Sequence, residues 1–298
     1  MRLIFLFLIL ISGSLTAQTP NEYITVERTR TRVGGYYWVE QGAATIAGLS
    51  PYLWMDASSA TFFKDTSGNT FTCTPNATHT VQTWLDRSGN NRNFTSATSD
   101  VSPTYTCDSQ STPLYQRDNF IQSDGIDDIM TFNFSTASAG VIDGLSGTID
   151  SDFTFIFVMQ ATASLGYNDS FIASGDGWNT AKNWQIGATG TDRSKIYFRL
   201  AQATPTNLAL IPFDTNTHVY LITRSGTTVT YKVDGTQVAS ITYPANRLPF
   251  LDNLKLFTNR ATQTRINARF SEFFVFNGTL TADQEFIIEQ YLLSKWGV

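Results

Sequence analysis

"HVYLITRSGTTVTYKVDGTQVASITY", His218 to Tyr243, decides the fold. Its runs "VYLITR", "TVTYKV" and "QVASITY" are rich in β-branched and aromatic residues. Ser225-Gly226 and Asp234-Gly235 stand between them and accept the positive φ of tight hairpin turns. Three strands joined in this way make an antiparallel meander. On either side, "FIQSD" (120–124), "DIMTFNF" (128–134), "DFTFIFVMQ" (152–160), "SKIYFRLA" (194–201) and "ARFSEFFVFNG" (268–278) alternate or run apolar, as strands do when one or both faces are buried. The regular alternation of strand and helix that a doubly wound or barrel α/β fold needs is missing. One helix is predicted, in "LTADQEFIIEQYLLSKWGV" (280–298). Thr281 is its N-cap with Gln284 three residues on, Ile287/Tyr291 and Ile288/Leu292 are apolar pairs one turn apart, and Gly297 ends it. Many strands and one terminal helix predict an all-β, two-sheet antiparallel sandwich or jelly roll.

Composition agrees with that class. Of 298 residues, 13% are aromatic and only 15% charged, with a net charge of −5. A nucleic-acid surface would need clustered Lys and Arg, so nucleic acid is excluded as an expected partner. The first residues, "MRLIFLFLILISGSLTAQTP", put Arg2 before an apolar run from Leu3 to Ile11 and small residues up to Ala17. This predicts a secretory signal peptide over 1–17 and no membrane span. Residues 18–46 differ in character from the rest of the chain. Arg28, Arg30 and Arg32 would share one face of an extended arm, either as a charged edge strand or as a docking element for a second copy or a surface scaffold. Residues 47–298 form the sandwich domain.

Asp-x-Ser-Gly-Asn occurs twice, at Asp65–Asn69 and Asp86–Asn90. Asp and Asn bond their own backbone and Gly accepts positive φ, so each copy reads as a turn. The same side chains are hard oxygen donors, which makes Asp86 and Asn90 candidate calcium ligands as well. Asp124, Asp127 and Asp128 in "SDGIDD" are a denser acidic set that would repel itself unless hydrogen-bonded or neutralised by a cation such as calcium. Cys73 and Cys107 flank the second turn. In an exported chain a disulfide is the expectation, with two separate buried thiols as the alternative.

In order, "LSPYLWMDASSATFFKDTSGN", "VQTWLDRSGNNRNFT", "SPTY", "FIQSDGIDDIM", "VYLITRSGTTVTYKVDGTQVAS" and "ARFSEFFVFNGTLTADQEFIIEQYLLSKWG" resemble the laminin-G-like, concanavalin A-like jelly-roll domains of bacterial secreted and phage virion proteins. Those domains carry W-x-D-x-S-G-N-G and F-D-G-x-D-D motifs. Here the second reads Ser123-Asp124-Gly125-Ile126-Asp127-Asp128, with Ser where the family has Phe, and the arm before Leu49 has no counterpart. The resemblance implies a sandwich with binding loops on one rim and leaves the ligand open.

Hydrolases on such a fold carry paired carboxylates on one strand. No Glu before the closing helix has an acidic neighbour two residues on, so an enzyme is not expected. His79 and His218 are the only histidines, and His218, at a strand start, is expected to pack. The stretch "SLGYNDSFIASGDGWNTAKNWQIG" (164–187) is the binding candidate. Trp178 can stack on an apolar sugar face while Asp176 and Asn179 bond hydroxyls, or it can plug the sandwich edge instead. The expectation is a secreted or virion-surface, non-catalytic module that recognises glycans or a cell-surface receptor. The alternative is an assembly subunit docking through residues 18–46.

Overall fold

The stretch from His218 to Thr242 forms three neighbouring strands, as its turns require. Asp234 (φ 49°) and Gly235 (φ 77°) make one left-handed hairpin corner and Gly226 (φ 56°) lies in the other. The computed structural model describes residues 43, 45–74, 76–107, 119–132, 152–162, 169–174, 184–187, 195–200, 209–212, 214–243, 254–258 and 265–298. All of them belong to one folded unit, 34–298.

The strands in chain order are β1 (Leu53–Asp56), β2 (Phe63–Lys64), β3 (Thr78–Thr80), β4 (Thr83–Trp84), β5 (Phe94–Thr95), β6 (Thr104–Thr106), β7 (Phe120–Gln122), β8 (Met130–Phe132) and β9 (Phe153–Ala161). They continue with β10 (Ser170–Ser174), β11 (Trp184–Gly187), β12 (Lys195–Leu200), β13 (Ala209–Pro212), β14 (His218–Ser225), β15 (Thr228–Val233), β16 (Thr236–Thr242), β17 (Leu254–Leu256) and β18 (Ala268–Asn277). One sheet runs β16-β15-β14-β9-β18-β7-β6-β3, with β1 also paired to β18; the other runs β13-β12-β11-β10-β17-β8-β5-β4-β2. Every ladder among the described residues is antiparallel, including the first strand on the last (Leu53 opposite Val275, Asp56 opposite Glu272). The fold is the predicted two-sheet β-sandwich.

The two sheets meet through aromatic rings. Phe94 of β5 stands edge-on to Phe273 of β18 at 6.1 Å, and Phe273 also contacts Phe155 and Phe157 of β9. β9 is buried on both faces, which explains its unbroken apolar run. Phe155 and Phe157 point at the second sheet, while Ile156 and Val158 point the other way, under the closing helix Ala282–Trp296. That helix has the predicted capping box, in which the Thr281 hydroxyl accepts from Gln284 N–H and the Gln284 side chain accepts from Thr281 N–H. It ends at left-handed Gly297. Cys73 and Cys107 form the disulfide. The end of the arm, read as extended over 18–46, is instead helical at residues 45–48, and Ile46 is fully buried in the core; residues 18–42 and 44 lie outside the described residues.

Candidate functional site

The two Asp-x-Ser-Gly-Asn copies fold alike. Asp65 Oδ1 accepts from Ser67 and Asn69 N–H (both 2.8 Å), and Asp86 Oδ1 accepts from Ser88 N–H (2.9 Å); Gly68 and Gly89 are left-handed. They differ in what they hold. The first copy sits in solvent. In the second, Asp86 also takes Trp54 N–H on Oδ1 (3.0 Å) and, on Oδ2, Arg92 N–H (3.0 Å) and the Ser88 hydroxyl (2.7 Å). The Asn90 amide donates to the carbonyls of Pro51 and Tyr52 (3.2 and 3.0 Å), and Arg92 donates to Tyr52 O (2.8 Å) while lying 3.4 Å over the Tyr52 ring. Asp86 and Asn90 thus fasten β1 to the turn, and a cation at Asp86 would compete with the N–H and O–H donations its carboxylate already accepts.

The acidic trio comes together. One oxygen from each of Asp124, Asp127 and Asp128 lies within 4.8 Å of the others. Asp124 Oδ1 accepts from Ile126 N–H (2.7 Å), and Asp128 Oδ2 accepts from Asp124 N–H (2.8 Å). Burial, then the charges of Asp124 and Asp127, push the Asp128 carboxyl up to about 6 despite the Asp124 N–H bond. Burial pushes the pKa of Arg265 down, and the charges of Asp127 and Asp128 oppose that shift. Ser123, which stands where the resembling motif has Phe, is buried, and its hydroxyl bonds the backbone of Ile266 and Ala268. A Phe would leave those backbone groups without that partner.

His218 differs from its sequence reading. Its ring does stand edge-on to Tyr220 (6.0 Å), but Asp234 Oδ2 lies 2.6 Å from Nδ1 and Asp214 Oδ1 lies 2.9 Å from Nε2. The Asp234 bond, opposed by burial and aided by Asp214, pushes its pKa up to about 9, so the imidazolium is the resident form.

Sequence reasoning missed a buried charge cluster under the closing helix. Asp56 and Glu272, direct cross-strand partners and both fully buried, share Lys295, whose Nζ is 3.0 Å from Asp56 Oδ1 and 2.9 Å from Glu272 Oε2. Arg87 pairs with Asp56 Oδ2 and lies between the rings of Trp54 and Phe62, 4.2 and 4.4 Å from their centroids. Glu272 also accepts from the indoles of Trp54 and Trp296 (2.8 Å each) and from the Tyr291 hydroxyl (3.2 Å). Burial pushes both carboxyls up; Lys295 and Arg87 overcome this at Asp56, which is held below its ordinary value, whereas Glu272 stays above its own. The signal was available: Glu272 is a charge inside an apolar ten-residue strand. A search for carboxylates two residues apart cannot find a pair made across a ladder.

Asp176, Trp178 and Asn179 lie outside the described residues. They belong to the 175–183 connection, whose flanking strands β10 and β11 are paired at Ser174 and Trp184.

These features define an antiparallel β-sandwich with polar turns on its rims. No family model matches the chain, and no curated protein matches it. Solved structures do. A botulinum neurotoxin type C structure aligns at 12% identity and TM-score 0.52 over 84% of this chain and 53% of its own. The binding domain of botulinum neurotoxin serotype D gives 12% and 0.52 over 84% and 52%. A GH54 α-L-arabinofuranosidase gives 11% and 0.57 over 88% and 65%. The chain spans about half the length of the toxin domains, and the likeness is one of fold.

Proposed function

We propose that this chain is a secreted, non-catalytic binding module of the laminin-G-like, concanavalin A-like kind, displayed at a bacterial or virion surface, that recognises glycans or a cell-surface receptor. The observation that carries this reading is the state of its facing carboxylates. The pair that the sheet does bring together, Asp56 and Glu272, is buried beneath a helix and bound to Lys295 and Arg87, which supports reading that pair as structural rather than catalytic. A sandwich of this shape also occurs in the botulinum neurotoxin type C structure, a toxin that depends on interaction with two ganglioside molecules to enter cells, which supports a glycan ligand. Asp176, Trp178 and Asn179 are the proposed contacts, in a shallow site with affinity of roughly millimolar strength per copy. Several copies would then be needed for avidity.

The test is a glycan array probed with the mature protein displayed multivalently, beside Trp178→Ala. Binding reduced at least tenfold by the substitution supports the site, and equal binding removes it. Release of sugar from a polysaccharide library would replace the reading with hydrolysis. The same reading takes a calcium ion at Asp124, Asp127 and Asp128, whose carboxylate oxygens fit a hard cation. Asp86 and Asn90, already engaged in their turn, are left out of that proposal. Millimolar calcium is expected to raise the melting temperature of the native chain over an EDTA control and to have no effect on Asp127→Asn; an equal response in both would exclude the trio as the site.

A further inference from the structure

At one end of the sandwich a groove of about 480 Å³ opens between the start of β14, the Asp234-Gly235 corner and the end of the closing helix. Gln160, Asn216, Thr217, His218, Asp234 and Trp296 line it. We propose that this groove binds a neutral sugar ring through its hydroxyl groups, as a site separate from the 175–183 connection. The proposal rests on the glycan-binding reading for its ligand class but not for its location.

The lining is held in place before any ligand arrives. His218 is clamped between Asp214 and Asp234, and Asp234 Oδ1 accepts from Val219 N–H at 2.8 Å. Gln160 donates to Thr215 O (2.9 Å) and accepts from Arg269 (3.4 Å). Trp296 gives its N–H to Glu272 and is only 2% exposed, so it forms part of the groove's floor and adds little open surface. What remains open includes both acceptors and donors. Each Asp234 oxygen has used one lone pair, and the Thr217 hydroxyl and Asn216 Oδ1 have no partner among the described residues. The groove therefore offers acceptors at Asp234 and Asn216 beside a Thr217 hydroxyl and amide N–H groups that can donate, a mixture that a ligand with hydroxyl groups can meet.

Three ligand classes can be weighed on that basis. An anion finds both His218 N–H groups already committed and two carboxylates beside them. An ammonium ion finds Asp234 already paired with the His218 imidazolium, so its own desolvation goes uncompensated. Sugar hydroxyls carry donors without charge, and a ring bearing them fits a volume inside the usual range for small ligands, about 300–1,000 Å³.

The experiment is an NMR titration of the mature chain, following the Trp296 indole and His218 ring resonances. The probes are galactose, N-acetylglucosamine and mannose at concentrations up to tens of millimolar, with inorganic phosphate and methylammonium as charged controls. The expected result is saturable shifts with at least one sugar and none with either ion. Thr217→Tyr, which fills the groove from a half-buried position, is expected to weaken that sugar at least tenfold while the melting curve stays native. Trp178→Ala is expected to leave these shifts in place. Shifts with phosphate or methylammonium alone, silence with all three sugars, or equal titration by Thr217→Tyr each overturn the groove. Should Trp178→Ala abolish array binding while the groove resonances never move, the glycan-binding reading stands and this site does not.

Discussion

Asp65 and Asp86 show how far a single residue's role depends on its neighbours. Both close the same Asx turn, yet only Asp86 reaches another element, taking Trp54 N–H and so fixing β1. Asp86→Ala is expected to cost about 2–4 kcal/mol, because several buried or half-buried donors lose a charged acceptor together. Asp65→Ala should leave the urea midpoint nearly unchanged. The turn itself was legible in five letters of sequence, since its chemistry is local. Its use was not, because Trp54 is 32 residues away from Asp86. His218 gives a pH test. Its pKa rises from 6.5 unfolded to about 9 folded, so its ion pairs add stability fully below pH 6.5 and lose it as pH climbs through 9. Between pH 6 and pH 9.5 wild type should lose about 1–2 kcal/mol more than His218→Gln, a figure discounted for solvent screening. Urea unfolding at the two pH values measures it, and parallel losses would refute the assignment.

Among the elements, the closing helix carries the most consequence. Its existence, cap and stop were readable from Thr281, Gln284 and Gly297. Its manner of docking was not, because Lys295 meets partners on β1 and β18 that no sequence period links. Lys295→Met is expected to destabilise the chain by about 3–5 kcal/mol, since Asp56 and Glu272 are then left facing each other in the dry interior with Arg87 alone to offset them. Adding Glu272→Gln should recover part of that loss, a positive coupling read by a double-mutant cycle in denaturant. Strict additivity would mean the cluster does not act as a unit. β9 makes the complementary point. Its apolar run predicted a strand with one or both faces buried, and the structure settles on both, with the second sheet on one side and the helix on the other.

At the scale of the whole molecule, the sandwich was legible because turn residues and strand periods recur through the chain, and the order of its motifs confined the topology. The sugar contacts proposed at Asp176, Trp178 and Asn179 lie outside the described residues, so that reading stays with the sequence. The disulfide follows from the cysteine pair. Its 34-residue separation predicts a loss of about 3–4 kcal/mol on reduction, read as a lower urea midpoint in dithiothreitol that Cys73→Ser/Cys107→Ser reproduces. An unchanged midpoint would show that the edge it closes stays ordered unaided.

The pairing of β1 with β18 also bears on biosynthesis. Residues 53–56 have no ladder partner until 272–275 have been made, and their buried Asp56 has no ammonium ion until Lys295 has been added. Contacts with Asp86 and Arg87 can form earlier, but the ladder with β18 and the ion pair to Lys295 close only when synthesis is nearly done, and loops this long close slowly. Completion of the sandwich is therefore a late, largely post-translational event.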